Sequence, residues 1–336
     1  MMLKNKRFHG GFTLVELLVV VAIIGILMGL VFPAVQSVRS SARRASCLNN
    51  INQLALATKT FESTQERLPA CDQGNGASFI TNLLGDMEQE FALDELGSFT
   101  GNKSFTNSAW LDHLRILSST RIPTLICPSA LDEENSDVAE HGAQNSFANH
   151  YLGTLGPAGT ATYSDAVGTY SYTYDVLTRG GSQPAQGAVS LEGIFAPSDD
   201  GEFSLKNSLN SAKIRDGSSF TVLYGEVSQT RVTAGVRGGW AFGVKYDVNG
   251  SDLFPRLVYA AKTVGDNSRI NNSDGLTSRQ ANEISYSSNH GTGTHFAMLD
   301  GSARFINEDV DHSILKTLFS ANGSSNDGLE KPIELE

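Results

Sequence analysis

From Leu17 to Val35 the chain carries no charge. In a helix rising about 1.5 Å per residue, that run reaches roughly 28 Å, near the thickness of a bilayer's hydrocarbon core. Past Pro33 the pattern turns amphipathic. Val35, Val38, Ala42, Ala45, Leu48, Ile51, Ala55, Thr58 and Phe61 recur at steps of three or four, while Arg39, Arg43, Asn49, Asn52, Lys59 and Glu66 fall on the other side. Pro69 ends the pattern. The reading is one helix from about Phe12 to Arg67, roughly 80 Å long, with residues 12–35 able to span a membrane and 36–67 packed on a globular head. Pro33 removes one backbone donor, so a kink is expected there.

The remaining pattern is short and mixed. Phe79-Ile80, Leu83-Leu84, Phe91 to Leu96 and Trp110 to Leu117 predict short helices among Gly, Asn and Ser clusters. Thr124 to Cys127 predicts a strand stopped by Pro128, and residues 145–195 predict short strands with long loops. Asp216-Gly217 leads into a strand at Phe220 to Tyr224, with another at Trp240 to Val244. Thr294 to Leu299 and Ser302 to Ile306 flank Asp300-Gly301, which predicts a two-residue hairpin loop of type I′. Val310 to Phe319 predicts a closing helix, and Ser320 to Glu336 a polar, acidic, poorly ordered tail. The fold class is therefore α+β, a long helix on a mainly antiparallel head spanning residues 68–319.

Charge narrows the partners. The formal net charge is −11, and it becomes −14 without residues 1–11, which hold Lys4, Lys6 and Arg7 and no acid. An acidic body gives no basic footprint for phosphates, so nucleic acid is excluded as the expected partner. With 33 glycines and 18% charged residues, the body reads as rich in loops and strands.

The start of the apolar run adds chemistry. A basic leader ends at Gly10-Gly11, and Phe12-Thr13-Leu14-Val15-Glu16 opens the helix with one carboxylate. An acidic side chain in lipid costs about 2.5–3.5 kcal/mol on insertion scales, so Glu16 calls for a partner. A cut between Gly11 and Phe12 would create an amine four residues from Glu16, available to the carboxylate of a neighbouring subunit. Two plainer readings stand beside this one. A secretory signal would be cut after its apolar core, where Ser40-Ser41-Ala42 is a poor site, and a simple anchor would leave Glu16 unexplained. Basic residues on both flanks leave orientation undecided by charge.

The segment G-F-T-L-V-E-L-L-V-V with its apolar helix resembles the type IV prepilin leader of pilins and type II secretion pseudopilins. The resemblance implies a prepilin peptidase acting after Gly11 and N-methylation of Phe12. It also implies Glu16 as the residue setting register among subunits, a leader in the cytoplasm, and a single-pass inner-membrane protein with an extracytoplasmic head. A second resemblance covers nearly all the rest. RRASCLNNINQLALATKTF, LLGDMEQEF, IPTLICPS, IRDGSSFTVLYGE and HGTGTHFAMLDGSARFI are similar, in order, to the domain-of-unknown-function 1559 family, also named solute-binding-like. Its C-terminal signature is H-x(9)-D-G, here His290, Asp300 and Gly301. Gly85-Asp86 and Ala130 depart from the family pattern.

Candidate chemistry in the head is sparse. Cys47, Cys71 and Cys127 allow one bridge and one spare thiol, and three buried free thiols are the alternative. Because Cys47 and Cys127 lie in the family blocks, the resemblance favours that pair, joining the stem helix to the first strand of the head. No C-x-x-C or H-x-x-x-H spacing points to zinc. His290 reads as a hydrogen-bonded loop anchor, Asp300 as a turn residue and His295 as a surface position. Asp132, Glu133, Glu134 and Asp137, or Asp199, Asp200 and Glu202, offer carboxylates for Ca²⁺, though solvated acidic loops explain them equally. No nucleophile elbow, phosphate loop or dinucleotide fingerprint occurs, so neither an enzyme nor a cofactor is expected. The leading reading is a pilin-like structural subunit, a pseudopilin or minor pilin. The alternative is a membrane-tethered module whose head binds a solute, glycan or secreted protein.

Overall fold

In the computed structural model of the chain, Leu14–Gln65 forms one helix, α1, with Pro33 inside it. The structure describes residues 13–72, 75–104, 106–130, 146–164, 169–177, 188–195, 211–214, 216–228, 239–249, 252–258, 260–272 and 283–321. Outside them lie the Gly11/Phe12 position, the clusters at 132–137 and 199–202, and the tail beyond 321.

Two units divide the chain, Met1–Ala45 and Ser46–Glu336. In the first, all described side chains on α1 are exposed, including Val35, Val38, Ala42 and Ala45 of the predicted stripe. The helix is long and apolar enough there to cross a membrane. In the second unit Ile51, Ala55, Thr58 and Phe61 of the stripe are buried and Leu48 is half-buried, while Cys47 and Leu54, outside the predicted stripe, are buried with them. Those three- and four-residue steps keep one side of the helix against the sheet.

Three further helices follow: α2 (Ile80–Leu83), α3 (Glu90–Ser98) and α4 (Ser108–Ser118). α4 starts where Asn107 Oδ1 accepts from the Ala109 amide, a side-chain cap on an otherwise unpaired donor. The described strands are β1 (Tyr151–Pro157), β2 (Thr160–Ser164), β3 (Thr169–Thr173), β4 (Val222–Glu226), β5 (Val244–Asn249), β6 (Asp252–Val258), β7 (Ala261–Val264), β8 (Gly293–Met298) and β9 (Ala303–Asn307). Five build one sheet in the order β7-β1-β4-β8-β9, antiparallel except for β1 with β7. β2 pairs with β3 and β5 with β6 as separate hairpins. The fold is thus α+β, a long helix packed on a mainly antiparallel sheet.

One sheet face meets the helices. There Phe79, Phe195 and Tyr224 stack, with ring centroids 4.7 Å (Phe79 to Phe195), 5.3 Å (Phe79 to Tyr224) and 5.7 Å (Phe195 to Tyr224) apart. The Tyr224 hydroxyl lies 2.6 Å from Thr58 Oγ1, so the one polar tip in that stack is satisfied by α1 itself. The other face holds Leu152, Tyr286, Phe296 and Met298 under α5 (His312–Leu318), whose Leu315 and Leu318 face inward. Gly225 lets the two rings of that second layer approach: a Cβ there would sit 2.2 Å from the Tyr286 ring.

Three local expectations are corrected. Thr124 to Cys127 is not a strand, because Pro123–Leu125 forms a 3-10 turn that Pro123 favours at its first position. Trp240 and Ala241 form a turn between isolated bridges at Gly239 and Phe242, and strand β5 begins only at Val244. The Trp240 indole donates to Thr120 O at 2.9 Å, so a tertiary bond overrides its strand preference. The hairpin of β8 and β9 is not type I′. Gly301 has φ +90° while Asp300 does not have positive φ, and the Gly301 amide donates to Met298 O at 3.0 Å. This is a type I turn followed by a glycine bulge, one residue longer than expected.

Candidate functional site

Glu226 ends β4 and is fully buried. Its place follows from strand alternation: Tyr224 points at α1, and Glu226, two residues on, points the same way. Gly225 pairs with Phe296, which sets Glu226 beside His295 of β8. His295 Nδ1 donates to Glu226 Oε2 at 2.9 Å, and Ser228 Oγ donates to Oε1 at 2.8 Å.

A second histidine arrives from the loop before β8. His290 Nε2 lies 3.3 Å from Glu226 Oε1 with its side chain 1% exposed, while Nδ1 sits 3.5 Å from Ser129 Oγ. The loop is held by the Asn289 side chain, donating to Ser129 O at 2.7 Å, and by the His290 amide, donating to Ser288 Oγ at 3.1 Å.

The sulfurs complete the site. Cys47 and Cys127 form a disulfide with Cα atoms 5.1 Å apart. Asn50, one turn beyond Cys47, donates to Ile126 O at 2.9 Å, and the Cys127 amide donates to His150 Nδ1 at 3.0 Å. Those bonds hold the 123–127 segment between α1 and the residue before β1. Cys127 Sγ lies 3.1 Å from Glu226 Oε1 and 3.6 Å from His290 Nε2. A bonded sulfur has no proton to give, so the carboxylate touches it without a hydrogen bond.

The electrostatics follow from the burial. Loss of water pushes the Glu226 carboxyl up, but bonds from His290 and His295, reinforced by their charge, outweigh it and hold the group below its ordinary range. Glu226 is therefore an anion clamped between two imidazoles beside a disulfide. Such an arrangement can store a proton, bind a cation or pin four chain segments together.

Of the residues singled out in the sequence, Cys47, Cys127 and His290 meet here. Asp300 does not, since its Oδ1 accepts from Ser302 N at 2.8 Å and Oγ at 2.7 Å within its own turn. His295 is corrected from a surface position to one 2% exposed. Glu226 and Ser228 were not singled out. Only a carboxylate closing the apolar strand VLYGE could have signalled the first. Glu16 stands in the other unit, accepting from Thr13 N at 2.9 Å and Thr13 Oγ1 at 2.7 Å. Cys71 is a buried free thiol, pushed well above its usual range by burial. Elsewhere in the head, a cavity of about 430 Å³ is lined by Gly159, Tyr174, Asp266, Asn267 and Glu283 among others.

Comparisons with known proteins place the chain. Residues 6–32 match the prokaryotic N-terminal methylation motif. The type II secretion system core protein G of Aeromonas hydrophila is 35% identical over 70 residues, 21% of this chain and 49% of that protein. The chain thus spans about half the length of that relative. No solved structure matches. The motif and the relative support a pilin-like protein. Residues 36–313 match the family described as protein of unknown function DUF1559, and the chain belongs to that family.

Proposed function

We propose that this chain is a structural subunit, a pseudopilin or minor pilin of a type II secretion or type IV pilus-like assembly. A prepilin peptidase cuts it after Gly11 and Phe12 becomes the methylated amino terminus. Residues 12–35 hold it in the inner membrane with the head outside, and residues 36–67 carry the helix on to the head.

The observation that supports this most is the surface of α1 before Arg39. Its large apolar side chains from Leu14 to Val38 are exposed, and Glu16 is the single charged residue among them. Lipid or like helices suit such a surface, whereas water does not. Glu16 is held at the helix start by Thr13, on the rim where the new amine of Phe12 would stand in an adjacent subunit.

The test is intact mass and amino-terminal sequencing of protein taken from its native membrane, followed by Glu16→Ala. A chain starting at methylated Phe12, still cut in the variant but no longer cross-linking into oligomers, supports the reading. A chain starting at Met1 or beyond residue 35 refutes it.

The cavity beside Tyr174 and Glu283 favours a second reading, a tethered binding head, because its volume falls in the range of small-molecule sites. In that case Glu16→Ala leaves ligand capture by the membrane-bound chain unchanged.

A further inference from the structure

We propose that Cys47, Cys127, Glu226 and His290 form a zinc site in the reduced chain, so that a Zn²⁺ ion and the disulfide are two exclusive ways of closing the same four-segment junction. Cys47 Sγ, Cys127 Sγ, a Glu226 oxygen and a His290 nitrogen all lie within 4.8 Å of one another. Zn²⁺ takes four ligands at about 2.3 Å for sulfur and 2.0–2.2 Å for nitrogen or oxygen, which fixes the edges of its tetrahedron at about 3.3–3.8 Å. Three edges are already close to that size. Cys127 Sγ to His290 Nε2 is 3.6 Å, His290 Nε2 to Glu226 Oε1 is 3.3 Å, and Cys127 Sγ to Glu226 Oε1 is 3.1 Å. Only Cys47 Sγ must withdraw from its partner sulfur, by a turn about its own side-chain bonds.

The donor set selects the ion. Two thiolates with one imidazole and one carboxylate suit a borderline-soft, tetrahedral ion better than Ca²⁺ or Mg²⁺, which take oxygen shells. All four donor side chains are buried, with no face left for substrate, so the site is of the closed, structural kind.

A supporting layer is also in place. His295 holds the free oxygen of Glu226 at 2.9 Å, Ser228 donates to the other at 2.8 Å, and Ser129 Oγ stands 3.5 Å from His290 Nδ1, ready to accept its proton when Nε2 turns to metal. Outer groups of this kind orient the ligands of metal sites. The ligands come from positions 47, 127, 226 and 290, so no short spacing motif could announce them.

The chemistry balances. A dithiol donates two electrons and two protons to the Cys47–Cys127 bond, closing to its own disulfide and leaving two thiols. Zn²⁺ then replaces the two thiol protons. In the reverse direction a second disulfide takes the two electrons of the thiolates by exchange and two protons from water, leaving as a dithiol; the Cys47–Cys127 bond is rebuilt and the ion released, because a bonded sulfur carries no anionic charge to bind it.

The test uses the full chain in detergent, reduced with a phosphine under nitrogen, desalted and titrated with Co²⁺ and then Zn²⁺. The expected result is one Co²⁺ per chain, with intense visible d–d bands and a near-ultraviolet thiolate charge-transfer band, both removed by one equivalent of Zn²⁺. The oxidised chain shows neither band. Cys71→Ala keeps both, Cys47→Ser with Cys127→Ser removes them, and His295→Asn weakens Zn²⁺ binding about 10- to 100-fold. If reduction loosens the fold, near-ultraviolet circular dichroism restored by one equivalent of Zn²⁺ gives the same answer. No tetrahedral spectrum in the reduced chain, a spectrum that survives in the double serine variant, or no recovery of a loosened fold would overturn the proposal.

Discussion

His295 Nδ1 and Glu226 Oε2 are 2.9 Å apart on neighbouring strands, with 2% and 0% of their side chains exposed. A bond at that depth is shielded from water and salt, unlike a surface ion pair. The folded carboxyl is held below its unfolded value, so its contribution is complete above an unfolded value of about 4.3 and is lost as pH falls through the lower folded one. Glu226→Gln is therefore expected to cost about 3–5 kcal/mol at neutral pH. Urea unfolding at several pH values checks the sign: the gap between wild type and variant narrows on acidification, and a constant gap would mean the charge is irrelevant.

The Cys47–Cys127 bond closes a loop of 80 residues. On the chain-entropy account a bond closing a loop of that size adds about 4.5 kcal/mol. Unfolding followed with and without reductant, in the presence of a strong chelator, is expected to differ by that order. Cys71→Ala leaves the difference unchanged, since that thiol takes no part in the bond.

Lys262 gives a slope of the same sense at higher pH. Burial pulls its ammonium down to about 7, far below the unfolded value. Between those two values the unfolded chain binds more protons, so stability rises with pH, by about 1.4 kcal/mol per unit, and the gain is absent below about 7. In Lys262→Met this limb flattens. Denaturation midpoints measured between about pH 7 and 10 decide it.

The β8 to β9 turn separates two geometries with one substitution. In a type I′ loop Asp300→Gly would relieve positive φ and stabilise the hairpin. In the observed turn only Gly301 has positive φ, and Asp300 holds Ser302, so Asp300→Gly is expected to destabilise by about 1 kcal/mol. Thermal unfolding of the single variant reads the sign directly.

What could be read from the sequence was periodic or local. The apolar run after Glu16, the three-and-four spacing through Phe61 and the glycine of the last hairpin each depend on a few neighbouring residues, and α1, its buried side and the β8–β9 pair follow them. What could not be read was tertiary. The 123–125 turn is fixed by a proline and by the His150 amide donating to Leu125 O, with Asn50 holding Ile126 just beyond it, and the Trp240 turn by a bond to Thr120. The same limit hid Glu226. Its partners lie 64 and 69 residues further on, and sheet order alone brings them together.

Cys47 stands two residues inside the second unit. A pull applied along α1 from its amino-terminal end meets that residue first, and there the load passes through a covalent bond to Cys127. Residues 48–65 then bear no peeling stress, because the tension has left the helix before it reaches them. In the oxidised chain the noncovalent contacts of Ile51, Leu54 and Phe61 are spared the force, which enters the body at Cys127 instead.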